Sequence, residues 1–170
     1  IVMSNQSTGS SVSFFLNMNS NTGTISFTTT ASLTVAVGND PYGISIADFD
    51  GDGKIDLAVS NNSSNTMSVL KNTTVPESSI LSFTNRVNYI VGASPWGIVA
   101  ADMNADGKPD IAVANSSGSI SLFRNLATNI LPPVITQVNP LSATIGSTVT
   151  IVGQNFNTTP GNNIVFFGAT

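Results

Sequence analysis

Short apolar stretches alternate along the chain with clusters of Asn, Ser, Thr and Gly. Ile44-Ser45-Ile46-Ala47 and Met67-Ser68-Val69-Leu70 alternate apolar and polar with the period of two of a half-buried strand, and Leu57-Ala58-Val59 is a short, wholly apolar run. A further strand is predicted around Phe27 and another around Phe83. The polar clusters between these runs suit turns, and no useful length carries the 3.6-residue period of an amphipathic helix.

The pattern then recurs. Gly38-Asn39-Asp40-Pro41-Tyr42-Gly43-Ile44 matches Gly92-Ala93-Ser94-Pro95-Trp96-Gly97-Ile98, and Asp48, Asp52 and Asp56 match Asp102, Asp106 and Asp110, all 54 positions on. Ser68-Val69-Leu70-Lys71-Asn72 matches Ser121-Leu122-Phe123-Arg124-Asn125. A partial third copy opens the chain, where Ile1-Val2-Met3-Ser4-Asn5 corresponds to Leu57-Ala58-Val59-Ser60-Asn61 and Ser13-Phe14-Phe15-Leu16-Asn17 to the Ser68 stretch.

Four strands in a repeat of roughly 54 residues is the size of one β-propeller blade. A β-sandwich or β-solenoid is the competing arrangement, but the repeat is too long for a solenoid rung and too regular for a sandwich. Residues 1–127 therefore read as about two and a half blades of four strands. The first copy starts just after the position where Asp56 and Asp110 stand in the others, so a piece of a larger protein is expected. An open array leaves sheet edges that need caps, ring closure or a neighbouring chain.

Residues 128–133, ending Leu131-Pro132-Pro133, read as a linker. Residues 134–170 no longer follow the blade; strands at Val134–Val138, Thr148–Val152 and Ile164–Phe167 suggest the start of an immunoglobulin-like sandwich. The expected fold class is all-β.

Composition narrows the chemistry. Hydrophobic residues make up 41% of the 170 residues, enough for a core, whereas charged residues make up 8%, about a third of the usual share. Asn, Ser and Thr, over a third of the chain, must then supply solubility. With no cysteine and no histidine, disulfides, thiolate sites, His bases and the usual zinc ligands are all excluded. Five scattered Lys and Arg make nucleic-acid binding improbable, and no apolar run is long enough to cross a bilayer. A non-enzymatic protein is expected.

Seven of the nine acidic residues fall in two loops, against a net charge of −4. Crowded carboxylates repel, and a cation is the simplest offset. Side chains at loop positions 1, 3, 5 and 9, with a backbone carbonyl at 7, can surround a hard cation with oxygen. In the first loop these are Asp48, Asp50, Asp52, the Lys54 carbonyl and Asp56; in the second, Asp102, Asn104, Asp106, the Lys108 carbonyl and Asp110. Gly53 and Gly107 follow the third ligand, where the chain turns sharply.

An all-oxygen set favours Ca²⁺ over Mg²⁺. Two bound Ca²⁺ would bring the formal charge from −4 to 0. An EF-hand fits poorly: position 12 carries Val59 and Val113 instead of Glu, and the flanks read as strands. Acidic turns that bind nothing, and catalysis by paired carboxylates, are the other readings. The first sits badly with two in-phase copies, and a wrapped metal would occupy the oxygens the second needs.

"DPYGISIADFDGDGKIDLAVSNN" and "SPWGIVAADMNADGKPDIAVANS" resemble the FG-GAP/VCBS-type repeat family, whose signature is a Pro-x-Gly turn, a strand, a D-x-[DN]-x-D-G-x-x-D loop and a D-[LI]-A-V strand. The resemblance covers residues 1 to about 127. It implies a calcium-bearing β-propeller of extracellular and cell-surface proteins, with the metal mainly structural. The tail, through "PPVITQVNP", "GSTVTIVGQNF" and "IVFFG", resembles the IPT/TIG immunoglobulin-like family, whose domains serve as spacers or adhesion modules in bacterial surface proteins.

The two resemblances together imply a secreted or surface-attached module used in adhesion or in binding a protein or glycan. The alternatives are an accessory region of a secreted polysaccharide-degrading enzyme and a structural subunit that assembles through open blade edges. Tyr42 and Trp96, at equivalent places in the Pro-x-Gly turns, either present rings to a ligand or pack between neighbouring blades.

Overall fold

The structure, a computed structural model, describes residues 1–170 except 7, 8, 19–24, 77, 79, 128–133, 143 and 157–170. The described residues form twelve strands and no helix. β1 (Val2–Asn5), β2 (Ser11–Phe14) and β3 (Leu33–Ala36) make a three-stranded antiparallel sheet. β4 (Pro41–Ala47), β5 (Asp56–Asn61), β6 (Thr66–Leu70) and β7 (Val87–Ile90) make a four-stranded meander, and β8 (Pro95–Ala101), β9 (Asp110–Asn115) and β10 (Ser119–Phe123) a third sheet of three strands. By repeat position, β1 and β9 correspond to β5, β2 and β10 to β6, β3 to β7, and β8 to β4. Sheets of three, four and three strands are the two and a half blades of a partial β-propeller.

The outermost strand lies later than the pattern around Phe27 and Phe83 suggests. Phe27 and Phe83 each make only a single bridge, to Asn17 and Asn72, and the fourth strand is β3 or β7 instead. Hydroxyls beside Phe83 compete with a ladder: Thr84 Oγ1 accepts from Lys71 N (3.1 Å), and Thr74 Oγ1 accepts from Ser82 N (3.0 Å). The Phe83 ring instead stacks on Phe14, 4.8 Å between centroids.

Every residue of β5 is buried, because its sheet is covered on both faces. Leu57, Val59 and Leu70 pack with Val12, Phe14 and Val37 from the first sheet. Ala58 and Met67 pack with Ile111 and Val113 from the third. Burying each large side chain contributes about 1.5–3 kcal/mol, so these two apolar seams hold the sheets face to face.

Hydroxyl and amide groups tie the inner strands across the seams. Ser4 Oγ donates to Tyr42 O (3.1 Å) and Ser60 Oγ to Trp96 O (2.7 Å). The approach is close: a Cβ on Gly43 would lie 2.5 Å from Trp96 O, which explains the glycine at this position.

A second signature occurs in all three sheets. Asn5 Nδ2 donates to Ser11 and Ser13, Asn61 Nδ2 to Thr66 and Ser68, and Asn115 Nδ2 to Ser119 and Ser121, all at 2.9–3.2 Å. Ser68 and Ser121 in turn accept from Gly38 N and Gly92 N. Each Asn thus ties the end of its strand to the next strand, and Asn61 and Asn115 also reach the incoming loop through Ser68 and Ser121.

In the tail, β11 (Val134–Asn139) pairs antiparallel with β12 (Thr150–Gln154), with an irregularity between Ile135 and Gln137. These two strands are the start of the immunoglobulin-like sandwich, the second lying two residues later than expected. The expected strand at Ile164–Phe167 and the expected linker 128–133 fall outside the described residues.

Candidate metal centre

The first acidic loop joins β4 to β5 at one end of the second sheet. It turns through Gly51 (φ 76°) and Gly53 (φ 84°), left-handed conformations that glycine adopts without strain. The loop wraps around Asp48: Oδ1 accepts from Gly51 N (2.8 Å) and Asp52 N (3.1 Å), and Oδ2 from Gly53 N (2.8 Å). Asp50 Oδ1 accepts from Asp52 N (3.2 Å), and Asp52 Oδ1 from Lys54 N (3.0 Å). At the base, buried Asp56 takes Phe49 N on Oδ2 (2.9 Å) and Asn72 N on Oδ1 (2.8 Å).

The second loop repeats this wiring. Asp102 accepts from Asp106 N (3.1 Å) and Gly107 N (2.8 Å), Asn104 Oδ1 from Asp106 N (2.9 Å), and Asp106 Oδ1 from Lys108 N (3.1 Å). Asp110 takes Met103 N (3.2 Å) and Asn125 N (2.8 Å). One difference is local: where the first loop has Gly51, the second holds Ala105 at φ 59°.

Of the expected ligands, Asp48, Asp50 and Asp56 come together, one carboxylate oxygen of each lying within 4.8 Å of the others. Oxygens that each sit about 2.3–2.6 Å from one Ca²⁺ are at most roughly 5 Å apart, so this trio fits such an ion. Asp52 turns aside, its Oδ2 3.1 Å from Lys71 Nζ and 3.9 Å from Lys54 Nζ. Among the described residues the Asp102, Asp106 and Asp110 carboxylates do not gather in this way. Lys54 and Lys108 take part through their backbone N–H groups, donated to Asp52 and Asp106.

The structure adds two residue pairs beyond the expected set. Lys71, at the end of β6, reaches Asp50 and Asp52, and its equivalent Arg124, at the end of β10, reaches Asp106 (3.3 Å). Asn72 Nδ2 donates to Ile55 O (3.0 Å) and Asn125 Nδ2 to Pro109 O (3.1 Å), closing the loop bases. The matched Lys71-Asn72 and Arg124-Asn125 pairs were the available signal, but only folding brings those strand ends to the loops.

The local electrostatics follow. Burial pushes the Asp56 carboxyl up, with Asp50 and Asp52 adding to the rise, and the N–H groups of Asn72 and Phe49 only partly oppose it. Desolvation also pushes Asp106 up, but hydrogen bonds from Arg124, Lys108 N and Asn104 together outweigh it and hold that carboxyl below its usual value. The hydrogen bond to Asp50 raises Lys71, further helped by Asp52. The first loop is therefore under the greater carboxylate crowding, and Lys71 offsets only part of it.

At the opposite end of β4 and β8, Tyr42 and Trp96 meet across the seam, 5.0 Å between centroids at 30°. They pack between blades, yet Trp96 stays 55% exposed.

Stacked antiparallel blades with an acidic Asp-rich loop between the first two strands define a class of repeat protein. The FG-GAP-like repeat profile matches residues 1–59 and 48–113, and the chain belongs to that family. An IPT/TIG domain profile matches residues 133–170. No match was found among curated proteins or among solved structures.

Proposed function

We propose that the chain is a non-enzymatic extracellular or cell-surface binding module whose blades are stiffened by calcium. The observation that carries this reading is the convergence of Asp48, Asp50 and Asp56 within 4.8 Å, on a loop whose backbone N–H groups already hold Asp48 in place. Asp48, Asp50, Asp52, Asp56 and the Lys54 carbonyl would hold one ion; Asp102, Asn104, Asp106, Asp110 and the Lys108 carbonyl would hold a second. The ion supplies positive charge where the chain concentrates negative charge, and turns a strand connection into a rigid corner. Extracellular modules of this kind bind with dissociation constants of about 10⁻⁴–10⁻³ M, which suits millimolar calcium outside cells. The end bearing Tyr42 and Trp96 offers exposed aromatic surface to a glycan or protein ligand.

Calorimetric titration with Ca²⁺ tests the site. Asp50→Asn can keep the bond from Asp52 N while it removes the negative charge and the ion pair with Lys71. Two sites are expected in the unmodified chain, with the substitution weakening one of them at least tenfold. If the chain takes up no calcium at millimolar concentration, or Asp50→Asn binds as the unmodified chain does, the assignment is wrong.

A further inference from the structure

Of the five Lys and Arg, four belong to the acidic loops: Lys54 and Lys108 lie in them, and Lys71 and Arg124 bind their carboxylates. Arg86 is the exception. It is exposed, and among the described residues it makes no ion pair and no hydrogen bond.

Arg86 lines a groove of about 430 Å³ between the outer strands of two neighbouring sheets. Val35 of β3 stands on one side, and Phe83, Thr84, Asn85 and Asn88 on the other. Both sides belong to strands paired within the stack, β3 to β2 and β7 to β6. The volume is within the roughly 300–1,000 Å³ of clefts that hold small ligands. Val35 and Phe83 are half-buried and form its apolar part, with the Phe83 ring fixed by its stack on Phe14.

The polar groups of the groove are left as donors. Ser68 Oγ accepts from Gly38 N and Asn61 Nδ2, so its one hydrogen goes to Asn88 Oδ1 (2.8 Å). That fixes the Asn88 amide, with Nδ2 left over to donate. Thr84 Oγ1 accepts from Lys71 N (3.1 Å), which leaves its own hydrogen to donate. Neither group has an acceptor among the described residues, and no carboxylate lines the groove.

The repeat does not demand this arrangement. Thr28 Oγ1 accepts from Leu16 N as Thr84 Oγ1 does from Lys71 N. From there the first copy reaches its outer strand through the uncharged Thr29-Thr30-Ala31-Ser32, and the second through Asn85-Arg86 alone. The cation is therefore an addition to one blade, not a part of the blade's framework.

We propose that this groove binds an acidic saccharide, with Arg86 holding the carboxylate of a uronic-acid unit. A guanidinium meets a carboxylate through two parallel N–H···O bonds. Asn88 Nδ2 and the Thr84 hydroxyl then serve the ring and hydroxyl oxygens, and Val35 and Phe83 take the C–H surface. The neutral donors beside the cation favour a sugar acid over an acidic peptide side chain, which needs the cation alone. The site rests on the reading of the chain as a binding module, but not on its calcium.

NMR titration of the ¹⁵N-labelled chain with trigalacturonate tests it, in calcium-free buffer so that no metal bridges the carboxylates. Saturable shifts of the Arg86 and Asn88 side-chain N–H signals are expected, with none from a neutral galactose trimer. Arg86→Gln, an exposed substitution that leaves the core intact, should weaken binding at least tenfold with an unchanged melting temperature. Equal binding of the neutral trimer, undiminished binding by Arg86→Gln, or no saturable shift overturns the proposal. So does a glutamate peptide that binds as tightly as trigalacturonate. Failure here together with normal calcium uptake sinks the saccharide site alone and leaves the calcium corners standing.

Discussion

Asp48 is the best-anchored side chain of the acidic loops, holding three backbone N–H groups before any ion arrives. Its second-loop counterpart sits in a less relaxed turn, because Ala105 holds a left-handed φ of 59° where the first loop has Gly51. Ala105→Gly should stabilise the chain by about 1 kcal/mol in urea unfolding. Lys71 competes with an ion for Asp50 and Asp52, so Lys71→Met should tighten calcium binding at the first loop. Removing one charge at about 4 Å in water is worth roughly 1 kcal/mol, or about fivefold in affinity by titration calorimetry. The spacing of the aspartates was readable in the chain; the role of Lys71 was not, because it depends on β6 ending beside Asp50 and Asp52, 21 and 19 positions before Lys71. Asp56 adds a pH signature. Burial raises its folded pKa above the ordinary 3.8, so the folded chain holds that proton more tightly than the unfolded one. That contribution is full below pH 3.8 and is lost as pH rises through the folded value. In chelator, melting of the unmodified chain should therefore lose stability over this window relative to Asp56→Asn; in calcium the sign reverses, since the ion requires the ionised carboxylate.

At the scale of elements, β5 is the centre of the structure, buried along its whole length between two apolar seams. Leu57→Ala should cost about 2–5 kcal/mol in denaturant unfolding, because the cavity opens where the first and second sheets meet. The Asn–hydroxyl locks leave no room at the incoming loops: a Cβ on Gly38 would lie 2.6 Å from Asn61 Cγ. Gly38→Ala should destabilise by roughly 1–3 kcal/mol through overpacking. β4 and β6 were legible from their alternation, and β5 from an apolar run that suits a strand covered on both faces. The outer strands were less so: the aromatic Phe27 and Phe83 look like strand residues, but Ser and Thr hydroxyls around Phe83 bond locally and leave it a single bridge. The apolar residues of β10 read as an ordinary strand; that Ile120 and Leu122 face outwards emerges only from the stacking of the sheets.

For the molecule as a whole, the sequence and the structure agree on blades stacked by apolar seams, with an acidic loop joining two strands in the second and third sheets and an immunoglobulin-like segment following. The loops also link the residue and molecular scales. At calcium concentrations of one to ten times the dissociation constant, filling contributes about 0.4–1.4 kcal/mol per site, enough to move a melting curve by several degrees. The most direct test is therefore thermal unfolding of the unmodified chain in millimolar calcium and in excess chelator, repeated for Asp50→Asn. A clear fall in melting temperature on chelation, reduced in Asp50→Asn, is the expected result. Superimposable curves with and without calcium would contradict the account of these loops as calcium corners.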